Sequence, residues 1–235
     1  MKRLCTLCVR GESKGVPKKN TRSLAGKPLF VHSFLQARET ALFEDIALSS
    51  DSEYILKLAK RWGIHRLVQR PAKLATDECP KLPVIQHCMQ AVEKETGQCY
   101  EVVVDLDASS PLRTTGDIRG AVALLEKTGC PNVITGSPAR RSPYFNLVER
   151  GTSGGYAPAK TLPVAVTRRQ DAPPCFDMNA SIYVWRREAL LGNKTIFLGG
   201  TQLFLMPEER SVDIDSELDL EVVSFLMRRK RKGAK

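Results

Sequence analysis

The sequence predicts an α/β fold in which helices cover both faces of a mostly parallel β-sheet. Two observations lead to this prediction. Short apolar segments alternate with amphipathic segments along most of the 235 residues, a rhythm typical of βαβ units. The segment EVVVDL at 101–106 is apolar almost throughout, as expected for a strand buried on both faces of a parallel sheet. The length suits one domain, 1–235, with a sizeable core.

The first half of the chain predicts strands and helices in alternation. Residues 28–40 carry apolar side chains at helical spacing, and Ser52 is a residue type that often caps a helix N-terminus. Gly63 and Gly97 are typical of residues that end a helix. The predicted strands are 3–9, 45–50, 64–68 and 101–106, and the predicted helices are 28–40, the segment between Ser52 and Gly63, and 81–96.

The alternation breaks in the second half of the chain. Residues 138–175 are rich in Pro, Gly and Arg and lack a helical period, which predicts an inserted hairpin or arm rather than a βαβ unit. The other predicted elements are a helix at 116–128 that ends at Gly129, strands at 132–136, 181–185 and 212–215, and an amphipathic helix at 216–229.

Composition and hydropathy place the chain among soluble globular proteins. Hydrophobic residues make up 42% and charged residues 26% of the chain, and no apolar run reaches the ~18 residues that a membrane helix needs. The apolar stretch near Met1 is too brief for the core of a signal peptide. We therefore expect a cytoplasmic protein without a membrane segment.

The net charge of +10 is concentrated at the two ends of the chain. Residues 1–27 carry eight Lys and Arg against Glu12, a local +7, and residues 228–235 carry six more cations, so the remainder nets −3. A body of that charge argues against a nucleic-acid-binding surface. The RRKRKGAK tail is either a nuclear or nucleic-acid-binding signal or a solvated terminus.

Seven cysteines are scattered along the chain, which is unlike a disulfide scaffold and favours reduced thiols. Cys5 and Cys8 form a C-x-x-C pair. Since no second pair of ligands follows at zinc-site spacing, two buried strand thiols are the simpler interpretation.

The loop after the first strand, RGESKGVPKKN at 10–20, is the first candidate for ligand binding, and we call it the phosphate loop. Ligands of open α/β sheets bind beyond the carboxyl ends of strands, and Gly11 and Gly15 allow close approach of the backbone. The spacing fits neither the P-loop nor the dinucleotide fingerprint. A basic surface loop without function is the alternative. The cations that could neutralise a polyphosphate are Arg10, Lys14 and Lys19.

A pair of carboxylates near the C-terminus is a candidate metal site. Asp213 and Asp215 alternate along VDID, and residues i and i+2 of a strand share one face, so both could bind one cation. Mg²⁺ prefers such oxygen ligands together with phosphate oxygens. Acids that stabilise the N-terminus of the following helix are the alternative, and spacing alone does not decide between the two.

Together these segments resemble the acylneuraminate cytidylyltransferases, the CMP-sialic acid synthetase family. The resemblance spans nearly the whole chain in the family's order. It implies a Rossmann-like domain, places a small dimerisation insert at 138–175, and implies a homodimer in which the insert helps to close the partner's site. Besides the phosphate loop, the matching segments are SSDSEYI at 49–55, RPAKLATD at 70–77, SSPLRTTGDI at 109–118, RRQDAPP at 168–174, MNASIYVW at 178–185 and RSVDIDSELDLE at 210–221.

The resemblance also implies roles for individual residues. Those implied to bind the nucleotide are Arg10, Gly11, Ser13, Lys14, Lys19, Asn20 and Arg70. Those implied to bind the sugar are Asp107, Ser109, Arg169, Asn179 and Tyr183, with the planar fork of the arginine gripping the sugar carboxylate. Asp213 and Asp215 are implied to bind Mg²⁺. The residues implied to act in catalysis are Arg10, Lys14, Lys19 and Asp215. Competing interpretations are a surface arginine at 70, a solvated arginine at 169 and a core tyrosine at 183.

The implied reaction transfers CMP from CTP to a nine-carbon acidic sugar, a nonulosonic acid. The anomeric hydroxyl attacks the α-phosphorus and pyrophosphate leaves in line, a step that depends on positioning and charge neutralisation. None of the three histidines stands in the context of a general base, which favours a hydroxyl acidified by magnesium. A nucleotide- or nucleic-acid-binding protein without catalysis is the non-enzyme alternative.

Two positions depart from the family pattern. Glu12 replaces a glycine of the usual loop, and a carboxylate near a triphosphate is repulsive unless it faces solvent or the metal. Asp107 and Ala108 replace the Gln-Pro of sialate enzymes, and an ionised aspartate only accepts hydrogen bonds. With DLDASSPLR, PARRSPYFN and CFDMNASIYVW, this resembles the branch that activates legionaminic acid, a diacetamido sugar whose extra amide N–H would pair with Asp107. N-acetylneuraminate and pseudaminate are the alternative substrates.

Overall fold

The computed structural model describes residues 1–164 and 166–233, with side chains up to Arg229. The strands are β1 (Arg3–Cys8), β2 (Ser23–Leu24), β3 (Lys27–Pro28), β4 (Asp45–Ser50), β5 (Arg66–Gln69), β6 (Val102–Leu106), β7 (Asn132–Pro138), β8 (Val148–Arg150), β9 (Tyr156–Pro158), β10 (Phe176–Arg186) and β11 (Gln202–Leu205). The helices are α1 (Leu29–Thr40), α2 (Glu53–Arg61), α3 (Lys81–Thr96), α4 (Thr115–Thr128), α5 (Arg187–Gly192) and α6 (Glu217–Gly233). Short 3₁₀ turns lie at Lys19–Thr21, Ala72–Leu74, Arg169–Asp171 and Glu208–Arg210.

Seven of these strands form the central sheet, in the order β11-β7-β10-β6-β1-β4-β5. β1 pairs in parallel with β4 and with β6, β4 with β5, and β11 with β7. β10 runs antiparallel between β6 and β7. The mostly parallel sheet expected from the alternating sequence pattern is therefore confirmed.

Helices cover both faces of this sheet, as the sequence predicted. α1, α2 and α4 pack on one face through a core that includes Phe30, Ala59 and Leu125. α3 and α5 pack on the other face through a core that includes Met89 and Leu190. Full burial of a large apolar side chain contributes roughly 1.5–3 kcal/mol, so these two layers hold the sheet between them.

A third apolar cluster lies beyond the end of the sheet and ties the last helix to the phosphate loop. Three fully buried members of this cluster are Val16 of the phosphate loop, Ile214 of the segment before α6, and Val223 of α6. Because these residues are far apart in the sequence, their packing fixes the C-terminal segment beside the loop that follows β1.

Polar caps set the helix ends close to where the sequence placed them. The Oγ of Ser52 accepts a hydrogen bond from the Ile55 N–H at 3.4 Å and starts α2. Thr114 and Asp117 form a reciprocal capping box at the start of α4. Gly97 ends α3 with φ of +67°, a left-handed conformation that glycine adopts without steric cost.

Residues 138–175 leave the sheet after β7 and return to it at β10, two neighbouring strands. The segment contains the antiparallel hairpin of β8 and β9, in agreement with the irregular composition. Several apolar side chains of the segment are exposed, among them Leu147, Val148, Tyr156 and Val164. Its role in dimerisation stays a prediction.

The prediction of a strand at 212–215 is wrong. These residues are in extended coil between the Glu208–Arg210 turn and α6, and the Ile214 N–H donates to the carbonyl of Ser109 at 2.9 Å. The alternation of polar and apolar residues arises because Ile214 is buried in the third apolar cluster and Val212 packs against it. Packing of these two side chains against helices and loops does not require a sheet partner.

Within the described residues, no helix combines the length and apolar character required to span a bilayer. The basic tail singled out in the sequence lies in part beyond the described residues, which end at Gly233.

Candidate active site

The candidate active site lies where the carboxyl ends of β1, β4 and β6 meet. The phosphate loop follows β1, Asp51 follows β4, Arg70 follows β5 and Asp107 follows β6. β1 and β6 are neighbouring parallel strands, so the loops that follow them open at the same edge of the sheet. A crevice at this edge is the usual ligand site in an open α/β sheet.

Hydrogen bonds to side chains hold the phosphate loop in shape. The Gly11 N–H donates to Asp51 Oδ1 at 3.0 Å, and Asn20 Nδ2 donates to the carbonyl of Arg10 at 2.9 Å. Asn20, expected to contact the nucleotide, thus ties the two ends of the loop together. Glu12, the departure from the family pattern, is exposed and is also among the residues that line the crevice.

The phosphate loop and the carboxylate pair lie in direct contact. A Cβ atom added at Gly15 would lie 1.9 Å from the carbonyl oxygen of Asp215, a separation that no pair of non-bonded atoms tolerates. Lys19 Nζ donates to the carbonyl of Ile214 at 2.6 Å and lies 3.1 Å from Asp215 Oδ1. The structure therefore brings the phosphate loop into contact with the segment that carries the candidate metal-binding aspartates.

Two cations of the phosphate loop share one carboxylate. Asp77 lies 2.9 Å from Lys14 Nζ and 2.7 Å from Arg10 Nη1, and hydrogen bonds from Lys14 and Arg10 lower the pKa of Asp77. The lysine side chain is 80% exposed, so the pairing is in contact with water and is weak. Asp77 lay inside a segment recognised in the sequence, but no role had been assigned to it.

Asp213 and Asp215 form a carboxylate pair suited to a divalent cation. Burial, and then the charge of Asp215, raise the pKa of Asp213, as expected for like charges in contact. A shared Mg²⁺ would relieve that repulsion. The described residues contain no cluster of three or more His, Cys, Asp or Glu arranged for a metal. Mg²⁺ commonly combines one or two carboxylates with water and phosphate oxygens.

Two of the cavities around the crevice share part of their lining. The aspartate cavity, about 280 Å³, is lined by Ser13, Lys19, Asn20, Ser109, Asp213 and Asp215 among others. The arginine cavity, about 250 Å³, is lined by Arg70, Leu74, Thr76, Cys79, Lys81 and Val84 among others. Cys8, Arg10 and Asp107 line both cavities. These three residues form the wall that the two cavities share.

Asp107 is fixed within this shared wall. Its Oδ1 accepts hydrogen bonds from the N–H and the hydroxyl of Ser109 at 2.9 and 2.7 Å. Its Oδ2 accepts one from Lys81 Nζ at 2.6 Å. Burial would raise the pKa of Asp107, but the charge and hydrogen bond of Lys81 and the bonds from Ser109 outweigh it and lower the pKa well below the ordinary value. Asp107 is therefore ionised.

Lys81, the first residue of α3, was missed in the sequence. Its ammonium pairs with Asp107, lies 3.0 Å from Asp105 Oδ2 and sits 4.6 Å from the ring centroid of Tyr183. A cation is disfavoured at a helix N-terminus, so a lysine there required a compensating acid. That mismatch is the one signal that could have found it.

Arg70 is almost completely buried. Its Nη2 donates to the carbonyls of Ser49 and Val9 at 2.9 and 3.4 Å. The guanidinium thus ties together the ends of β4 and β1, while the residue also lines the arginine cavity. The interpretation as a solvated surface arginine is wrong.

The other residues expected to bind the sugar are placed differently from one another. Tyr183 is buried on β10 beneath Lys81. Asn179 is buried, donates to Ser211 Oγ at 2.9 Å and accepts from Thr135 Oγ1 at 2.7 Å. Arg169 lies on the insert, donates to the carbonyl of Ala139 and is not among the residues that line the two cavities. Of the five, Asp107 and Ser109 line the aspartate cavity within the described chain.

Comparison with known proteins gives a consistent result. A family model described as Cytidylyltransferase matches residues 5–222. The chain is 42% identical to the CMP-N,N'-diacetyllegionaminic acid synthase of Campylobacter jejuni, over 99% of this chain and 97% of the relative. It is 40% identical, with the same coverage, to the post-translational flagellin modification protein B of Campylobacter coli. It is 30% identical to the N-acylneuraminate cytidylyltransferase of Streptococcus agalactiae, over 96% of this chain and 54% of the relative.

Solved structures agree on the fold. CMP:2-keto-3-deoxy-manno-octonic acid synthetase in complex with CTP superposes with a TM-score of 0.71 at 14% identity, covering 98% of this chain and 100% of that one. A 4-diphosphocytidyl-2C-methyl-D-erythritol synthase from Anaerococcus prevotii gives a TM-score of 0.63 at 10% identity, covering 97% and 99%. At such identities the likeness concerns the fold alone.

Proposed function

The chain belongs to the cytidylyltransferase family, and on that premise we propose that it transfers CMP from CTP to the anomeric hydroxyl of a nonulosonic acid, releasing pyrophosphate. The observation that carries this proposal is the contact between the phosphate loop and the carboxylate pair, in which Gly15 lies against the backbone of Asp215. A polyphosphate in the crevice would have cations on one side and a metal-binding pair on the other.

We propose N,N'-diacetyllegionaminic acid as the sugar. A relative named CMP-N,N'-diacetyllegionaminic acid synthase is 42% identical over nearly the whole chain. The ionised Asp107 in the wall of the aspartate cavity supports a substrate that offers a hydrogen-bond donor there. Relatives named pseudaminic acid cytidylyltransferase and N-acylneuraminate cytidylyltransferase are more distant, at 26% and 30% identity.

In the proposed mechanism, the chain supplies position and charge. Arg10 and Lys14 exchange Asp77 for phosphate oxygens, and together with Lys19 they neutralise the charge that builds up on departing pyrophosphate. The bond from the anomeric oxygen to the α-phosphorus forms as the bond from that phosphorus to the β-phosphate oxygen breaks. The proton of the hydroxyl passes to a base.

Asp213 and Asp215 would hold the metal that this chemistry requires. Mg²⁺ bound there would neutralise phosphate charge and lower the pKa of the attacking hydroxyl. Within the described chain, no histidine lines the aspartate cavity, which is consistent with a proton transfer that does not depend on histidine.

We also propose a homodimer formed through residues 138–175. Exposed apolar side chains on this segment, such as Val148 and Val164 at 56% and 80% exposure, fit a protein interface. A partner's insert is also the simplest source of a cation for the sugar carboxylate, since Arg169 lies outside its own chain's cavities. Sedimentation of the wild type and of Val148→Glu would test this, with a monomeric wild type contradicting it.

The direct test is pyrophosphate release from CTP and Mg²⁺ with a panel of N,N'-diacetyllegionaminic, N-acetylneuraminic and pseudaminic acids. The proposal expects the fastest release with the first acid, little release with ATP or UTP, and loss of release when EDTA removes the metal. Absence of release with every acid would refute CMP transfer to a nonulosonate. Release that is unaffected by EDTA would refute the role of the metal alone.

A further inference from the structure

The ammonium group of Lys81 is enclosed by three protein groups. Its Nζ lies 2.6 Å from Asp107 Oδ2 and 3.0 Å from Asp105 Oδ2, and it stands over the ring of Tyr183 at 4.6 Å. The contact with Asp105 is an ion pair rather than an aligned hydrogen bond. The Lys81 side chain is 25% exposed and lines the arginine cavity, but its aligned hydrogen bond goes to Asp107. The ammonium is therefore directed at that carboxylate.

Asp107 has a little capacity left. A carboxylate offers about four acceptor positions, and Ser109 and Lys81 occupy three of them. The Asp107 side chain is 31% exposed and lines both cavities. One acceptor position in the shared wall is thus open to a ligand.

Two carboxylates face the ammonium of Lys81, and Asp105 is the fully buried one of the two. Arg10 stands in the same wall but is paired with Asp77, and the buried Arg113 donates to the carbonyl of Asp107. Because the open position on Asp107 is a carboxylate oxygen, a group that donates a hydrogen bond is favoured there, whereas a carbonyl or carboxylate oxygen is repelled. Without Lys81, the two neighbouring acids would face each other unpaired, and protonation would let one of them donate.

We propose that Lys81 is a positioning residue that sets sugar preference: it pins Asp107 as an acceptor in the shared wall, so that a second acetamido N–H of the sugar is preferred. This inference rests on the proposed function and names the chain's own device for choosing among nonulosonic acids. In this proposal the effect of Lys81 on sugar preference passes through Asp107.

The experiment compares kcat/KM for N,N'-diacetyllegionaminic acid with that for N-acetylneuraminic acid, and we call this quotient the preference ratio. We expect Lys81→Met to lower the preference ratio about tenfold, the effect of one mispaired hydrogen bond. The KM for CTP stays within about threefold of wild type. Lys81→Arg keeps the cation and restores most of the ratio. Lys94→Met, an exposed lysine at the other end of α3, is the matched control and leaves the ratio unchanged.

A double-mutant cycle separates positioning from direct contact. Asp107→Asn can donate as well as accept and should lower the ratio by itself. In that background Lys81→Met should then change the ratio little further, because its effect passes through Asp107. Additive effects of the two substitutions would overturn the inference.

Other results would overturn it as well. One such result is a preference ratio in Lys81→Met that equals that of the wild type. Another is a KM for CTP in Lys81→Met that rises as much as the KM for the sugar. A third is a preference ratio near one in the wild-type protein itself. If Lys81→Met unfolds because Asp105 is left unpaired, the same comparison is made in an Asp105→Asn background, where the neutral amide still accepts from Thr6 as Asp105 does. A wild type that releases no pyrophosphate with any acid refutes the proposed function instead, so the two failures are distinguishable.

Discussion

Two groups of charged side chains around the crevice hold their charges in opposite ways. In the first group, Arg10 and Lys14 share Asp77 through side chains that are 36%, 80% and 46% exposed. In the second group, Lys81 pairs with Asp107 and with the fully buried Asp105. Exposed pairs exchange partners at little cost, whereas breaking a buried pair leaves an uncompensated charge. The first arrangement suits phosphates that arrive and leave, and the second suits a fixed geometry for recognition.

The largest loss of activity should come from substitution in the carboxylate pair, Asp213 and Asp215. We expect Asp215→Ala to reduce pyrophosphate release by about 1,000-fold or more, equivalent to about 4 kcal/mol of transition-state stabilisation. Asp215 is 73% exposed, so the thermal unfolding temperature should change little. Glu221→Ala, an exposed acid of α6, serves as the control. Full turnover by Asp215→Ala would remove the metal from the mechanism.

The next largest effect should come from Gly15→Ala, which tests whether the phosphate loop must contact the segment that carries Asp215. Gly15→Ala places a Cβ in the position 1.9 Å from the carbonyl of Asp215, so one of the two segments has to move. We expect kcat/KM to fall about 100-fold and stability to fall by roughly 1–3 kcal/mol, as for other overpacked sites. Gly155→Ala, which meets no atom within 4 Å, should have neither effect. Normal activity of Gly15→Ala would show that the contact is dispensable.

A second largely buried ion pair, between Asp117 and Arg210, allows the same comparison to be made for the free energy of unfolding. Asp117, 4% exposed, lies 2.8 Å from Arg210. Burial would raise the pKa of Asp117, but hydrogen bonds from Arg210 and Thr114 outweigh it and lower the pKa. The folded pKa thus lies below the unfolded value of about 3.9, so this stabilisation is present above about pH 4 and is lost as pH falls through the folded pKa.

Asp117→Asn should therefore cost about 2–3 kcal/mol near pH 6. The difference in unfolding temperature between wild type and variant should shrink as pH is lowered from 5 to 3. A difference that stays constant over this range would mean that the carboxylate charge contributes nothing to stability.

The smallest effect belongs to the exposed acid. Asp77→Asn should change stability by less than about 0.5 kcal/mol. It should lower the KM for CTP about two- to threefold at low salt, since a competitor for Arg10 and Lys14 is weakened. The gain should vanish near 0.5 M salt, where exposed charges are screened. A higher KM would show that Asp77 shapes the loop for the nucleotide rather than competing with it.

Local sequence signals were sufficient for most of the fold. Ser52, the Thr114 capping box and Gly97 act through neighbours within a few residues, so their effects can be predicted from spacing. The segment 212–215 could not be predicted in this way. Its buried residue, Ile214, packs in a cluster formed by distant parts of the chain. The alternation of polar and apolar residues in this segment matches the pattern of a strand, although no strand forms.

The pairings among the candidate site residues could not be predicted from the sequence. Asp107 and Asp215 were singled out by type and position, yet the lysines that hold them, Lys81 and Lys19, pair across 26 and 196 residues. Asn20 and Arg70 were expected to face the nucleotide, and their side chains also bind backbone carbonyls of the chain itself. These hydrogen bonds to backbone carbonyls depend on the tertiary arrangement, which residue spacing in one sequence does not specify.

The ties between Lys19, Ile214 and Asp215 join positions about 195 residues apart. During synthesis, the phosphate loop emerges from the ribosome early and its carboxylate counterpart emerges almost last. A nascent chain that has been synthesised only through β11 still lacks Asp213 and Asp215, the aspartates that we propose hold the metal. We therefore expect a chain that ends before residue 212 to release no pyrophosphate.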